Sequence, residues 1–317
     1  MTVFAVGAST HAGKVRPTNQ DNLLANDPMF VVADGMGGHR GGETASAIVA
    51  DALAAAATVV TVDDLIEEVQ KANSQIVDRG ELERELRGMG TTVTVLTDLH
   101  GPGPDRLGVA NVGDSRLYRV TDGVLCQHTT DHSLVESLVR DGRLTRAEAA
   151  VHPQRNIITR ALGIDERVLV DAWELVPVKG DRYLLCSDGL FNEVDEDEIC
   201  GVLTSFGSAQ EAADELVDRA VGAGGRDNIS VVVVDIVDAE IGDAPPSDRV
   251  TATHLALDHS APIVEPPSID THDSDVSELR SGGFGAESIS AKTTGRLVLL
   301  VVAVFVVLAV LLAALAA

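Results

Sequence analysis

The sequence predicts an α+β domain built on antiparallel sheets, followed by a single membrane-spanning helix. Three observations carry that prediction. Short β-rich runs at 29–33, 91–97, 107–112, 115–120, 183–186 and 229–237 are joined in several places by tight turns. Such connections suit antiparallel pairing better than a βαβ order. Two stripes of 3.6 periodicity, Leu65-Val69-Ala72-Ile76 and Ala212-Leu216-Ala220, mark amphipathic helices between those runs. Residues 297–317 form an unbroken apolar run without a charge.

Taken in order, residues 1–238 carry all the regular patterns. Thr145…Glu148 and Ser208…Glu211 have the spacing of capping boxes at helix starts. Residues 239–296 lose the patterns. They hold Pro245, Pro246, Pro262, Pro266 and Pro267 among many Asp, Ser and Thr, the composition of a solvated, self-repelling linker. A flexible chain of that length spans about 40 Å. The run 297–317 is about 31 Å long as a helix, which matches the roughly 30 Å of a hydrocarbon core. Lys292 and Arg296 lie just before it. By the positive-inside rule, residues 1–238 then stay in the cytoplasm, on a single-pass anchor in the cell membrane. A cleaved lipid-anchor signal is the rival reading, but it needs prior export, and residues 1–14 show no basic region ahead of an apolar stretch.

Composition excludes several classes. An apolar fraction of 45% supports a core, so global disorder is out. Lys and Arg number 24 against 49 Asp and Glu, a net charge of −25 that repels phosphate backbones and argues against nucleic-acid binding. Cys126, Cys186 and Cys200 share no metal-ligand or CxxC spacing, so neither a zinc site nor a disulfide framework is expected.

Two segments share one design. Phe30-Val-Val-Ala-Asp34-Gly35 and Tyr183-Leu-Leu-Cys-Ser187-Asp188-Gly189 are apolar runs that stop at Asp-Gly. A buried strand ending in Asp presents a carboxylate at the rim of a core. The Gly that follows lets its carbonyl approach an ion, and Mg²⁺ or Mn²⁺ takes such oxygen ligands. Asp-Gly is also a common turn dipeptide, and Asp122-Gly123 and Asp141-Gly142 read as plain turns. The long apolar lead-in separates Asp34 and Asp188 from them. Asp34 also enters the glycine cluster Gly35, Gly37, Gly38, Gly41 and Gly42, which opens a helix. Two more acidic turns join the set, Asn111-Val-Gly113-Asp114-Ser115-Arg116 and Gly225-Arg226-Asp227-Asn228. The loop Arg16-Pro-Thr-Asn19-Gln20-Asp21-Asn22 adds a cation to acids and amides. Carboxylates that converge repel one another and raise their pKa values unless divalent cations sit among them.

These motifs, in this order, resemble the type 2C metal-dependent protein Ser/Thr phosphatases in their bacterial form. The matching residues are Arg16…Asn19-Gln20-Asp21, Ala33-Asp34-Gly35-Met36-Gly37-Gly38-His39, Gly90-Thr91-Thr92, Asn111 to Arg116, Asp131-His132-Ser133, Ser187-Asp188-Gly189-Leu190 and Asp227-Asn228. The resemblance spans about residues 3 to 237. It implies a central β-sandwich of two antiparallel sheets flanked by helices on both faces, four layers in all, with a metal cleft at one end. It implies two catalytic Mn²⁺ or Mg²⁺ ions, with a place for a third. Asp34 would bridge two ions, Gly35 would offer its carbonyl oxygen, and Asp188 and Asp227 would complete the shell. Asp114 would serve the third ion, Asp21 would hold a metal-bound water, and Arg16 would grip the substrate phosphate. Residues 131–163 correspond to a mobile flap. Gln20 stands where many relatives have Glu. Met36 stands where animal members carry a His that resembles a general acid, and His39 reads as a solvated loop residue.

The implied activity is hydrolysis of phosphoserine and phosphothreonine on proteins by an activated water, without a phosphoenzyme. The tail suggests a role opposing membrane Ser/Thr kinases, whose members and substrates would be its partners, by a monomeric catalytic domain. Rival chemistries lack their residues. A cysteine phosphatase needs Cys-x₅-Arg, but His132, Asn192 and Phe206 stand six places after the three cysteines. No Gly-x-Ser-x-Gly elbow occurs, and Gly7…Gly13-Lys14-Val15 misses the spacing and hydroxyl of a nucleotide loop. The alternatives are a non-catalytic phosphoprotein- or metal-binding scaffold, a phosphatase of small metabolites, and a phosphatase of a transcription regulator.

Overall fold

The computed structural model describes residues 1–37, 41–56 and 58–240. Two antiparallel sheets lie at its centre. One has the order β1(Val3–His11), β11(Ile229–Asp238), β10(Arg182–Cys186), β7(Arg116–Thr121), β8(Val124–Gln127). The other has β2(Asp21–Asn26), β3(Met29–Met36), β5(Val93–Leu99), β6(Arg106–Val112), β9(Asp171–Leu175), and the short β4(Gly90–Thr91) pairs with the end of β3.

The central strands are apolar on both faces because both faces are covered. In β11, Val232, Val234 and Ile236 point into a cluster between the sheets, shared with Phe30, Val32, Leu96, Leu107, Leu117, Tyr183 and Leu185. The alternate residues Ile229, Val231 and Val233 face the other way, against Ala212, Ala213, Leu216 and Ala220 of α7(Ala209–Ala223) and Ile199, Val202 and Leu203 of α6(Glu196–Ser205). The second sheet repeats the arrangement. Val31, Ala33, Val93 and Val95 turn outward to meet Ala45, Val49 and Leu53 of α1(Gly41–Ala54) and Leu65, Val69, Ala72 and Ile76 of α2(Val62–Leu82). A period of two therefore feeds two separate cores, and a one-residue slip would exchange them. The result is helix, sheet, sheet, helix.

Helix starts follow local chemistry. Thr61 caps α2 in a reciprocal box with Asp64, and Thr145 does the same with Glu148 for α4(Arg146–Ala150). Ser208 accepts from the Glu211 N–H, a one-sided cap. Asp122, with φ 52°, and Gly123, with φ 79°, make the β7–β8 turn, and Gly142, with φ 68°, follows α3(Leu134–Arg140).

The structure revises the sequence reading in three places. β3 does not stop at Asp34 but runs on to Met36, because Gly35 and Met36 pair with Thr91 and Gly90. The loop 16–22 ends early: Asp21 is the first residue of β2 and lies directly across from Asp34. Strands β1, β2, β8 and β9 lack a strong apolar pattern and escape a period-based reading. Among the described residues no helix is long and apolar enough to cross a membrane. The expected span 297–317, almost all of the linker, and Gly38 and His39 lie outside the described residues.

Candidate active site

Strand direction brings five distant aspartates to one end of the sandwich. Asp21 opens β2 and faces Asp34 near the end of β3. Asp114 lies in the turn after β6, Asp188 opens the short helix α5(Asp188–Phe191) after β10, and Asp227 precedes β11. Cys186 pairs with both Val231 and Arg116, so the Asp188, Asp227 and Asp114 ends coincide.

The backbone is shaped to hold these groups. Thr92 donates its N–H to the Asp34 carbonyl at 2.9 Å, and its hydroxyl accepts the Asp34 N–H at 2.9 Å. The same hydroxyl meets that of Ser115 at 2.8 Å, which ties the Asp34 strand to the Asp114 turn. A Cβ at Gly35 would come within 2.2 Å of the Gly42 carbonyl oxygen, so only glycine lets α1 close on the strand end. A Cβ at Gly189 would lie 2.0 Å from the Asn228 carbonyl oxygen. Asn228 ties down the loop that carries Arg16. Its Oδ1 accepts the Gln20 N–H at 2.8 Å, and its Nδ2 donates to the Ala12 and Thr18 carbonyls at 2.9 Å each.

The carboxylates crowd one another. Burial first, then the charges of Asp21, Asp188, Asp114 and Asp227, hold Asp34 well above the ordinary carboxylate range. Asp188 is raised in the same way by burial and by Asp114, Asp227 and Asp21. Burial pushes Asp21 up to about 6, against a lowering hydrogen bond of 2.8 Å from the Ser187 hydroxyl. Asp114 is pushed up to about 7 by burial and by Asp131. Arg16 donates to Asp227 Oδ2 at 2.6 Å and keeps about half of its side chain in solvent. Asn192 donates to Asp188 at 3.0 Å.

These residues fit a cation centre. Asp21 Oδ1 and Asp114 Oδ1 are buried without a hydrogen-bond partner. An oxygen in that position is costly unless something positive or protic meets it. Among the described residues no three His, Cys, Asp or Glu side chains form a ready cage for one ion.

The family profile of protein phosphatase 2C matches residues 10–219. The chain belongs to this family. Among its relatives, the serine/threonine phosphatase stp of Listeria welshimeri is 40% identical over 239 residues, 71% of this chain and 93% of that protein. The serine/threonine protein phosphatase PstP of Mycobacterium tuberculosis is 37% identical over 291 residues, 85% of this chain, which spans only 55% of that relative. The crystal structure of the M. tuberculosis phosphatase PstP/Ppp superposes with a TM-score of 0.70 at 39% identity, covering 74% of this chain and 99% of the other. A catalytic domain of PstP solved in complex with two manganese ions gives 0.67 at 39% identity, covering 75% and 100%.

Arg16, Asp21, Asp34, Gly35, Asp114, Asp188 and Asp227 thus lie together at one end of the sandwich. Reasoning on aspartates alone assigned no part to Thr92, Ser187 or Asn228, small polar residues beside them. Ser187 and Asn228 stand next to Asp188 and Asp227 in the chain, which marks them as candidates but not their partners, whereas Thr92 is 58 positions from Asp34 and carries no such mark. Of the site residues, Asp114 and Asp188 line a cavity of about 670 Å³, which lies between them and Asn192 on one side and α3 and α4 on the other.

Proposed function

We propose that this protein removes phosphate from phosphoserine and phosphothreonine side chains of other proteins at a centre of two divalent cations. It is a serine/threonine protein phosphatase of the protein phosphatase 2C family. The observation that carries the site assignment is the meeting of five carboxylates, two with partnerless buried oxygens, in a chain whose solved relative holds two manganese ions.

Asp34, Asp188 and Asp227 would hold the two ions, with the Gly35 carbonyl beside Asp34, and Asp114 would serve a third. When bound, such ions supply an activated water and offset charge on the phosphoryl oxygens. The chain's own groups do the rest. Arg16 presents guanidinium N–H groups from a loop pinned by Asn228, and the part not engaged by Asp227 is placed to receive a phosphate. Asp21, held by Ser187, keeps one oxygen free to accept from water in the cleft. Met36 carries no proton, so the leaving oxygen takes its proton from water or another group. Membrane anchoring through 297–317, a cytoplasmic catalytic domain and membrane Ser/Thr kinases as partners belong to the same proposal. They rest on the apolar tail and its flanking cations.

The test is manganese-dependent phosphate release from a phosphothreonyl peptide and from a sugar phosphate. The peptide is expected to be the better substrate, and Asp34→Asn is expected to lose at least about 10²-fold in kcat. A cleanly folded Asp34→Asn protein with parental turnover would overturn the site assignment.

A further inference from the structure

Asp131-His132-Ser133 is the one motif of the chain that the chemistry above leaves unused. It begins the 131–163 insertion, and its His132 is buried, with 7% of its surface exposed. His132 grips Gly113, the residue before Asp114, twice. Its backbone N–H donates to the Gly113 carbonyl at 2.9 Å, and its Nδ1 accepts the Gly113 N–H at 3.0 Å. With Nδ1 serving as acceptor, the neutral ring carries its proton on Nε2. That N–H points to Asp171 Oδ2 at 3.1 Å, on the first residue of β9. Arg160 Nη1 lies 2.8 Å from the same nitrogen and 2.5 Å from Asp171 Oδ1. A protonated Nε2 cannot accept, so Arg160 donates to the carboxylate. The chain is therefore Arg160 to Asp171, Asp171 to His132, and His132 to the Gly113 turn. Asp171 is held down at about 2: burial opposes this, but the hydrogen bonds from His132 and Arg160 outweigh it.

Gly113 has little freedom of its own. Its φ is +109°, and a Cβ there would stand 2.5 Å from Thr92 Cγ2. The far foot of segment 131–163 lands on β4, the strand paired to the end of β3, where Leu162 and Thr91 exchange backbone hydrogen bonds of 2.9 and 3.1 Å. Thr91 Oγ1 in turn donates to the Asp34 carbonyl at 2.9 Å.

We infer that His132 is a positioning residue, which fixes the Gly113-Asp114 turn from the root of the insertion and so sets where the Asp114 carboxylate points. This rests on the reading of Asp114 as the residue that serves the third cation. Without the Nδ1 acceptor the buried Gly113 N–H loses its partner and the turn relaxes. Partners one step behind a metal-holding group commonly change affinity 10–100-fold when lost.

Two substitutions separate the ends of the imidazole. His132→Asn keeps an acceptor near the Nδ1 position, and His132→Gln keeps a polar group near Nε2 but gives up the tie to Gly113. Manganese binding is measured by calorimetry, and kcat and KM on a phosphothreonyl peptide, for the parent, both variants, Asp114→Asn, and the Asp114→Asn, His132→Gln double variant. His132→Gln is expected to weaken by about tenfold the manganese class that Asp114→Asn removes. It should lower kcat with KM unchanged and add nothing to Asp114→Asn, while His132→Asn restores most of the affinity. If the two losses multiply in the double variant, or if His132→Gln binds manganese like the parent, the inference is wrong. If His132→Gln fails to unfold cooperatively, Asp171→Ala, which releases the imidazole without touching the turn, takes its place in the cycle. Asp34→Asn runs alongside. Parental activity there sinks the two-ion reading, whereas an inactive Asp34→Asn beside multiplicative His132 losses sinks the positioning role alone.

Discussion

At the scale of single residues, the site is a set of charges that the fold gathers at an energetic cost. Asp21 and Asp114 titrate at about 6 and about 7, above the ordinary range, because burial and neighbouring acids disfavour their charged forms. The folded state then binds more protons than the unfolded chain between pH 4 and 7. Stability that is present at low pH is lost as pH rises through the folded values. Metal-free protein is expected to unfold at a lower temperature at pH 8 than at pH 5, with the loss spread between about pH 4 and the folded values of about 6 and about 7. Manganese should remove that slope, since a cation among the carboxylates favours their charged forms. Thermal unfolding at the two pH values, with and without manganese, checks both statements. At the acid end His128 works the other way. Burial, then Arg119, depress it to about 4, so its contribution is full above pH 6.5 and fades as pH falls toward 4.

At the scale of elements, the end of the sandwich is an anchored loop system, and Asn228 is its peg. Asn228→Ala removes three hydrogen bonds and strands the Gln20 N–H and two carbonyls, one of them on the Arg16 loop. The expected loss is about 2–3 kcal/mol of stability, with a raised KM because the Arg16 loop is freed. Denaturant unfolding and peptide kinetics together measure it, and a variant with parental values in both would remove Asn228 from this role. Asn228 also shows what sequence could reveal. Asp34 and Asp188 stood out because long apolar strands lead into them. Asp227 and Asp114 stood out as acidic turns beside strong β runs. Asp21 was named from its motif, but its burial was not legible, since β2 is short and its pattern is partly polar. Thr92, Ser187 and Asn228 act through partners far away in sequence, 208 positions for Gln20 and Asn228. No local pattern encodes such pairings. The four layers followed from family resemblance and not from periodicity, because strands buried on both faces read as continuous apolar runs.

At the scale of the whole molecule, the catalytic end and the point where the chain leaves the described fold are opposite poles. β11 starts beside Asp227 and ends at Asp238, about 33 Å away at the rise of a strand. There a small clasp closes the fold. Glu240 N–H donates to Asp105 Oδ2 at 2.8 Å, Asp105 N–H donates to the Glu240 carbonyl at 3.1 Å, and the amino terminus meets Asp105 Oδ1 at 2.7 Å. The groups gathered at the catalytic end and the clasp itself all lie within residues 1–240. A chain ending at Glu240 is expected to keep parental kcat/KM on a soluble phosphothreonyl peptide and a parental unfolding midpoint. A chain ending at Asp238 loses the Glu240 half of the clasp and should drop by about 1–2 kcal/mol. If the run 297–317 anchors the protein as proposed, the tail matters only when substrate shares its membrane surface. On a phosphopeptide anchored to vesicles, the full chain gains from effective concentration and the truncated chain does not. If truncation at Glu240 slows hydrolysis of the soluble peptide, the tail takes part in the catalytic fold, and the separation of anchor from active site is wrong.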